Sequence, residues 1–291
     1  MTPEKETENA SGEMSMTRRL ALTLVAVAAA CRPKPTVAQL DHVRVKRVQG
    51  SVPRQNPEAE AWNGAPEYSG PLAPQNVTPP MLQQPGIARV KVRALHDGDW
   101  VAFRLEWEDR AGDTLLGPSR FSDAAAVQIP RERGASPSPM MGHPGAPVRL
   151  LYWKAAWQTP DMLMALHPNK PPTPYPYEAA ATEHRAAMEL QYAPARAAAN
   201  PNLNRPNGAP VMLGEAEMFG SFTAVGDAQT DGKGVYREGK WRVVLAMSLR
   251  MAPSLVAGQE SQVAFALWEG SAQNAGARKM RSEQWVRLAM E

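Results

Sequence analysis

The sequence is short of cysteine, since Cys31 is the only one among its 291 residues. A single thiol cannot form a disulfide within the chain. It also cannot hold an iron–sulfur cluster or a covalently attached c-type haem, because both need several cysteines. Any metal cofactor must therefore be held by histidine, methionine, lysine or carboxylate side chains.

Motifs of the common enzyme classes are also missing. The sequence has no Gly-x-Ser-x-Gly elbow, phosphate-binding loop or dinucleotide fingerprint. No two of its five histidines have the spacing of a zinc or copper site. The net charge is only +3, with no basic run beyond the N-terminus, which argues against nucleic-acid binding. Hydrolytic catalysis therefore has no support in the sequence.

The N-terminus has the pattern of a targeting segment. Arg18 and Arg19 precede an apolar run, Leu20–Ala30, that is too short to span a bilayer permanently. Small residues then lead into Cys31, as in a bacterial lipoprotein signal that ends in a lipidated cysteine; cleavage after an Ala-x-Ala site is the alternative. We expect residues 1–31 to be a signal peptide, 32–57 a flexible tether and 58–291 the functional domain. The protein would be periplasmic or on the outer face of a membrane, with a lipid anchor at Cys31.

Proline is abundant, with 28 residues, well above the usual share of about 5%. So many breakers favour short strands joined by long loops over a helical bundle. The clearest strands are Val90–Leu95 and Trp100–Glu108, which alternate in polarity around a turn and predict a hairpin with one face in a core and one in water. Further strands are predicted at 124–130, 148–157, 240–249, 260–268 and 284–290.

These elements predict the fold class. Short strands with turn signals between them are typical of an all-β, antiparallel, immunoglobulin-like β-sandwich. We expect long Pro-rich loops and at most one or two short helices, with Ala179–Tyr192 as the candidate helix. A metal-free sandwich of this kind could be a cell-surface module that binds carbohydrate or another ligand.

Methionine is frequent, with 15 residues, and most are explained as core filler. Met140 and Met141 differ, because they lie in a turn bounded by prolines and followed by Gly142. His143 comes next and is either a loop histidine or a rival ligand. Far downstream, Lys279 stands in a polar loop, where by itself it reads as a solvated charge.

A series of motifs gives these residues a context. The motifs, in order, are Trp62-Asn63-Gly64, Val90-Lys91-Val92-Arg93, Phe103-Arg104-Leu105-Glu106-Trp107, Asp123-Ala124-Ala125-Ala126-Val127-Gln128, Met141-Gly142, Tyr152-Trp153-Lys154, Trp268-Glu269-Gly270 and Lys279-Met280-Arg281-Ser282. Together they resemble the haem b (γ) subunit of the type II dimethyl-sulfoxide-reductase-like molybdoenzymes, such as ethylbenzene dehydrogenase, dimethylsulfide dehydrogenase, selenate reductase and chlorate reductase. The resemblance runs from about residue 52 to residue 290.

The resemblance implies a β-sandwich that holds one non-covalent haem b between an axial methionine and an axial lysine. The family pattern maps the methionine to Met141, with Met140 and His143 as alternatives, and the lysine to Lys279. Trp153 is among the aromatic residues available to line the pocket, although it could equally be core. The resemblance also implies partners: an iron–sulfur β subunit, a molybdopterin-containing α subunit, and an external cytochrome or quinone pool. The chain would relay electrons between them.

Overall fold

A computed structural model describes residues 40–115, 119–158, 210–226 and 228–291. The predicted signal peptide, Cys31 and the candidate helix Ala179–Tyr192 lie outside these ranges. Within them the only helical segments are three short 3-10 turns, Glu60–Gly64, Ala155–Gln158 and Leu249–Met251. No helix in this part of the chain is long and apolar enough to cross a membrane.

The described residues form fourteen strands that are linked edge to edge. They are β1 (Val43–Arg47), β2 (Tyr68–Pro71), β3 (Ala73–Pro74), β4 (Arg89–His96), β5 (Trp100–Glu108), β6 (Ala124–Pro130), β7 (Val148–Lys154), β8 (Val211–Ala216), β9 (Thr223–Ala224), β10 (Thr230–Arg237), β11 (Lys240–Ser248), β12 (Glu260–Trp268), β13 (Met280–Arg281) and β14 (Val286–Met290). The predicted hairpin is confirmed as β4 and β5, and the five further strands are confirmed with bounds that differ by a few residues.

The strands make two layers. The first sheet has the order β10-β11-β5-β4-β1-β14, and the second runs β12-β6-β7-β8-β9. β12 belongs to both, because its first half pairs with β14 and its second half, Ala264–Trp268, pairs with β6. The short strands β13 and β3 extend the second sheet beyond β12. The prediction of an all-β sandwich is confirmed.

An aromatic cluster fills the core between the layers. Trp107 of β5 and Trp241 of β11 stack with ring centroids 6.3 Å apart. Trp153 of β7 meets Trp241 edge-on at 5.1 Å. The Trp241 indole donates to a carboxylate oxygen of Asp123 at 2.8 Å, so the buried N–H is satisfied. These contacts fix one sheet against the other.

The predicted tether is wrong from residue 43 onward. Val43 and Val45 are buried while Arg44 is exposed, the alternation of a half-buried strand. This strand, β1, inserts between β4 and β14 and is parallel to both. The sheet is therefore mixed, with β1 as the exception to the antiparallel pattern. A five-residue strand flanked by polar sequence gives too weak a signal to be seen in isolation.

The second face of the hairpin is covered rather than solvated. Val52, Trp62 and Ala65 pack there against residues of β4, β5 and β11. Arg104, predicted to face water, is 9% exposed. Its Nε donates to the carbonyl of Pro57 at 2.7 Å, and its Nη2 lies 2.9 Å from the Glu106 carboxylate. The polar residues of β5 thus form an ion pair that is shielded from water, because residues 48–65 fold over this face of the sheet.

Candidate functional site

A cavity of about 610 Å³ lies on the outer face of the second sheet, within the size range of small-molecule and cofactor sites. Its floor is made of small side chains, because Ala126 of β6 stands directly opposite Ala266 of β12, with Ala264 in the next row. The cavity lies between this sheet and the loops that cover it, and not between the two sheets.

Alternation along β7 decides which aromatic side chains reach this cavity. Tyr152 and Lys154 point into it, whereas Trp153 between them points into the core and is fully buried. The Tyr152 ring packs edge-on against Trp268 of β12 at 5.2 Å. The structure therefore places Trp153 in the core, away from the cavity that it was predicted to line, and its neighbour Tyr152 on the cavity wall.

Met141 reaches the cavity from the loop between β6 and β7. The loop is held at several points: the Gln128 side chain donates to the carbonyl of Pro139 at 3.0 Å, and the Trp285 indole donates to the carbonyl of Pro137 at 2.8 Å. The amide of Gly142 closes the turn on the carbonyl of Ser138 at 3.0 Å. The Met141 side chain packs against the apolar ends of β7 and β8.

The backbone at Met141 is strained. Its φ is +68°, in the left-handed region that costs a residue with a Cβ about 1–2 kcal/mol. The next residue, Gly142, also has a positive φ, of +75°. Strained residues of this kind concentrate at functional sites, where the surrounding contacts hold them in place.

Lys279 comes from the opposite side, at the start of β13. Met280 of this strand is buried in the core, so its neighbours Lys279 and Arg281 both face the cavity. The backbone amide of Gln75 donates to the carbonyl of Lys279 at 2.9 Å. The Gln75 side chain, which is 2% exposed, donates to the carbonyls of Thr78 and Ala277 at 2.8 and 3.1 Å. Gln75 thus ties the cavity wall to the segment that carries the lysine.

The loop that leads to Lys279 is fixed at its other end by a buried carboxylate. Asp123 accepts a hydrogen bond from the amide of Gly270 at 2.8 Å. Burial raises the pKa of Asp123 to about 7. The Trp268 indole donates to the carbonyl of Gly276 at 3.0 Å, which draws the loop back over the sheet. Both ends of the loop are therefore anchored to the second sheet.

Met141 and Lys279 meet in the cavity. The Lys279 Nζ lies 3.8 Å from the Met141 Sδ and 5.2 Å from the centre of the Trp268 ring. Burial, helped by the neighbouring charge of Arg281, lowers the pKa of Lys279 to about 8. The amine is therefore much closer to losing its proton at neutral pH than an exposed lysine would be.

The other predicted site residues are placed differently. Met140 also lines the cavity. His143 is exposed and is not among the lining residues; its Nδ1 lies 3.2 Å from the amide of Ser138, so it supports the turn. Gln75 and Arg281 also line the cavity, but neither was predicted from the sequence. The two-residue period that places Lys279 in the cavity would have identified Arg281, whereas nothing in the Pro-rich run around Gln75 singles it out.

The pair of donors limits what the cavity can hold. A thioether and an amine are two ligands, too few for a metal ion that depends on the protein for its whole coordination shell. Elsewhere in the described ranges no three His, Cys, Asp or Glu side chains are grouped as metal ligands. Two donors that meet in one cavity suit a metal whose remaining positions are filled by its own macrocycle.

Comparison with known protein families shows which family the chain belongs to. The family model described as ethylbenzene dehydrogenase matches residues 59–280, which include the cavity floor, Met141 and Lys279. The chain belongs to the ethylbenzene dehydrogenase family. The resemblance derived from the sequence motifs is thereby confirmed.

Two relatives of this member of the ethylbenzene dehydrogenase family have names that indicate a function. One, from Haloferax mediterranei, is named as a respiratory nitrate reductase heme subunit, ORF7; it is 26% identical over 85% of this chain and 73% of its own length. The other, the chlorate reductase subunit gamma of Ideonella dechloratans, is 28% identical over 55% of this chain and 70% of its own length.

Solved structures are more distant. A carbohydrate-binding protein from Bacteroides uniformis aligns with 86% of this chain and 98% of its own, at 10% identity and a TM-score of 0.43. A family 9 carbohydrate binding module from Caldicellulosiruptor kristjanssonii, in complex with glucose, aligns with 86% of this chain and 95% of its own, at 8% identity and a TM-score of 0.37.

Proposed function

We propose that this chain binds one haem b non-covalently, with Met141 and Lys279 as axial ligands, and transfers electrons as the γ subunit of an exported molybdoenzyme. The observation that carries the proposal is the meeting of these two side chains over an alanine-floored cavity. Membership of the ethylbenzene dehydrogenase family, and a relative named as a heme subunit, support it.

The donor atoms have nearly the separation that the proposal needs. Metal bonds of about 2.0 Å to nitrogen and 2.3 Å to sulfur, the lengths seen at zinc sites, put two opposed donors ~4.3 Å apart. The observed 3.8 Å is short of this by about half an ångström, a difference that small rotations of two long side chains cover. The residues present therefore fit a haem.

The ligand types suit electron transfer. Haem supplies a one-electron iron couple, and an axial methionine raises its potential. The lysine must bind as the free amine, and the lowered pKa of Lys279 already favours that form. Met141 and Lys279 would together hold the iron and leave it no open position for a substrate, which suits a relay rather than a catalytic subunit.

Apolar side chains form much of the cavity wall. Tyr152 and Trp268 stand on one side, and Phe222 packs over the flat face at Gly214 on another. Leu150 and Met212 add to this apolar lining. Apolar surroundings would reduce the access of solvent to the cofactor and so keep the reorganisation on electron transfer small.

Partner subunits would dock at the cavity rim. The large apolar side chains that the described chain leaves most exposed are Val77, Met81, Met218 and Phe219. They lie on two loops that also supply cavity-lining residues. Exposed apolar patches of this kind mark protein interaction sites. We assign this rim patch to the iron–sulfur β subunit, because electron tunnelling requires the shortest route to the cofactor. The molybdopterin α subunit would bind the β subunit and would not contact this chain at the rim. A cytochrome or quinone pool would be the other redox partner.

Export is part of the same proposal. The apolar run Leu20–Ala30 and the small residues before Cys31 support cleavage as a lipoprotein signal and a lipid anchor at the cysteine. Metabolic labelling with a fatty acid tests this, with a Cys31→Ala variant as the control. Label on the wild-type protein alone supports the anchor, and the absence of label from both contradicts it.

The haem itself is tested by expressing the full chain and recording a pyridine haemochrome and a reduced-minus-oxidised spectrum. We expect one haem b per chain. A colourless protein that takes up no added haem would contradict the proposal and favour a metal-free carbohydrate-binding module. Co-purification with iron–sulfur and molybdenum-containing subunits tests the assignment as a γ subunit.

A further inference from the structure

Arg281 is a buried cation with little to bind. Its side chain is 8% exposed and lines the cavity. Its Nη1 donates to the carbonyl of Ser282 at 3.0 Å, and its Nε is buried without a hydrogen-bond partner. No carboxylate in the described ranges lies within ion-pair distance of it. A buried guanidinium with unused donors is costly unless a ligand satisfies it.

The described part of the cavity wall carries positive charge. Arg281 and Lys279 line it, and none of the described lining residues is an aspartate or glutamate. If Lys279 is the neutral ligand of iron, Arg281 remains as a cation on this wall. Such a cavity favours a ligand that is mostly apolar but carries negative charge at its edge.

The position of Arg281 suits the edge of a flat ligand. Arg281 stands directly opposite Ala266, which is part of the cavity floor. Lys279 lies two residues earlier along the same segment and faces the same side. The guanidinium is therefore beside the floor, at the border of the apolar surface.

We infer that Arg281 is the carboxylate-binding residue of this cavity and pairs with a propionate of the haem. The inference rests on the proposed function and deepens it, because it assigns the part of the chain that recognises the polar edge of the cofactor. A guanidinium binds a carboxylate through two parallel N–H···O bonds. Pairing would satisfy the unused donors of Arg281 and would fix which edge of the macrocycle lies against β13.

The test compares two porphyrins that differ only in charge. The full-length apoprotein is titrated with haem b and with haem b dimethyl ester, whose propionates are neutral, and the Soret band reports binding. Wild-type protein should bind haem b about tenfold more tightly than the ester, or better, as expected for a hydrogen bond between charged groups. Arg281→Gln should lose this preference, with little change in affinity for the ester.

Two variants serve as controls. Arg281→Lys keeps the charge but not the paired geometry, and should retain part of the preference. Arg287→Gln removes an exposed arginine of β14 and should behave as wild type. Equal loss of affinity for both porphyrins in Arg281→Gln, or no loss for either, would overturn the assignment. A wild-type protein that binds the ester as tightly as haem b would overturn it while leaving the proposed function intact; one that binds neither porphyrin would overturn both.

Discussion

Lys279 Nζ lies 3.8 Å from Met141 Sδ although 138 residues separate them along the chain. The methionine is presented by a strained turn after β6, and the lysine is the residue immediately before β13, which lies between β12 and β3. The two meet over a floor of alanine side chains on the outer face of one sheet. The fold therefore brings together one soft donor and one amine at a place where both are largely shielded from water.

The turn at Met141 should not tolerate a side chain at Gly142. A Cβ there would lie 2.8 Å from the carbonyl oxygen of Ala146 and 3.0 Å from that of Ala216. We expect Gly142→Ala to lower the free energy of unfolding by more than the ~1–2 kcal/mol cost of a positive φ, and to weaken haem binding. Urea unfolding and haem titration measure the two effects.

Gly145→Ala is the matched control for this prediction. Gly145 also has a positive φ, of +80°, but a Cβ there meets nothing within 4 Å. It should show the backbone cost alone and bind haem normally. Equal effects of the two substitutions would mean that the close contacts at Gly142 do not position Met141.

Gln75 should contribute to stability as well as to the site. Replacing it with alanine removes the hydrogen bonds from its side chain to Thr78 and Ala277 and leaves these part-buried carbonyls unpaired. We expect Gln75→Ala to lower the free energy of unfolding by about 2 kcal/mol and to reduce haem affinity. Gln55→Ala, at an exposed glutamine that bonds Asp231, should be near neutral; an equally small effect of Gln75→Ala would refute the role given to Gln75.

Haem binding should depend on pH through Lys279. The folded apoprotein holds this lysine with a pKa of about 8, below the usual 10.5, and iron binds only the free amine. Below pH 8 protons compete with iron, so the affinity should fall by up to about tenfold per pH unit. Above pH 8 it should level off. Soret titrations between pH 6 and pH 9 measure this.

The same lysine gives the apoprotein its own pH dependence. Because the folded pKa is lower than the unfolded one, the folded chain binds fewer protons between pH 8 and pH 10.5, and stability rises with pH in that window. Lys279→Met should abolish this rise in the apoprotein, whereas Met141→Ala, which keeps the lysine, should retain it. If the rise in stability persisted in Lys279→Met, another titrating group would have to cause it.

The rim patch should be needed for assembly but not for haem binding. Met218 is 51% exposed on the loop after β8 and is not among the cavity-lining residues, and a charge there would be desolvated in a complex. We expect Met218→Glu to bind haem normally and to lose co-purification with the iron–sulfur subunit. Ser51→Glu, at an exposed residue beside the segment that covers the outer face of the first sheet, should assemble normally. Normal assembly of Met218→Glu would exclude the rim as the docking surface.

The parts of the fold that could be predicted are those with a clear two-residue period. β4 and β5 alternate apolar and polar residues, and their turn is marked by Gly98, so local sequence alone defines the hairpin. β1 could not be predicted, because its five residues become a strand only when distant β4 and β14 offer them partners. Tertiary pairing decided that element.

The meeting of Met141 and Lys279 in one cavity could be predicted, but the residues of the cavity walls could not. Met141 and Lys279 followed from the family motifs. The sequence could not show which of Tyr152 and Trp153 faces the cavity, since both faces of β7 have apolar surroundings. An alternating pattern shows that two residues lie on opposite faces of a strand, but not which face is the core. The alanines of β6 predict a strand that is buried on both faces, and β6 is buried on both. One face is covered by the other sheet, whereas the second is covered by the loops around the cavity.

The most direct measurement of the central claim is the optical spectrum of the ferric protein loaded with haem b, compared between the wild type and single ligand variants. The wild type should be six-coordinate and low-spin. Met141→Ala and Lys279→Ala should each convert it to a high-spin spectrum or lose the haem, and Met140→Ala should leave it unchanged. Wild-type spectra from both the Met141 and the Lys279 variants would contradict the account.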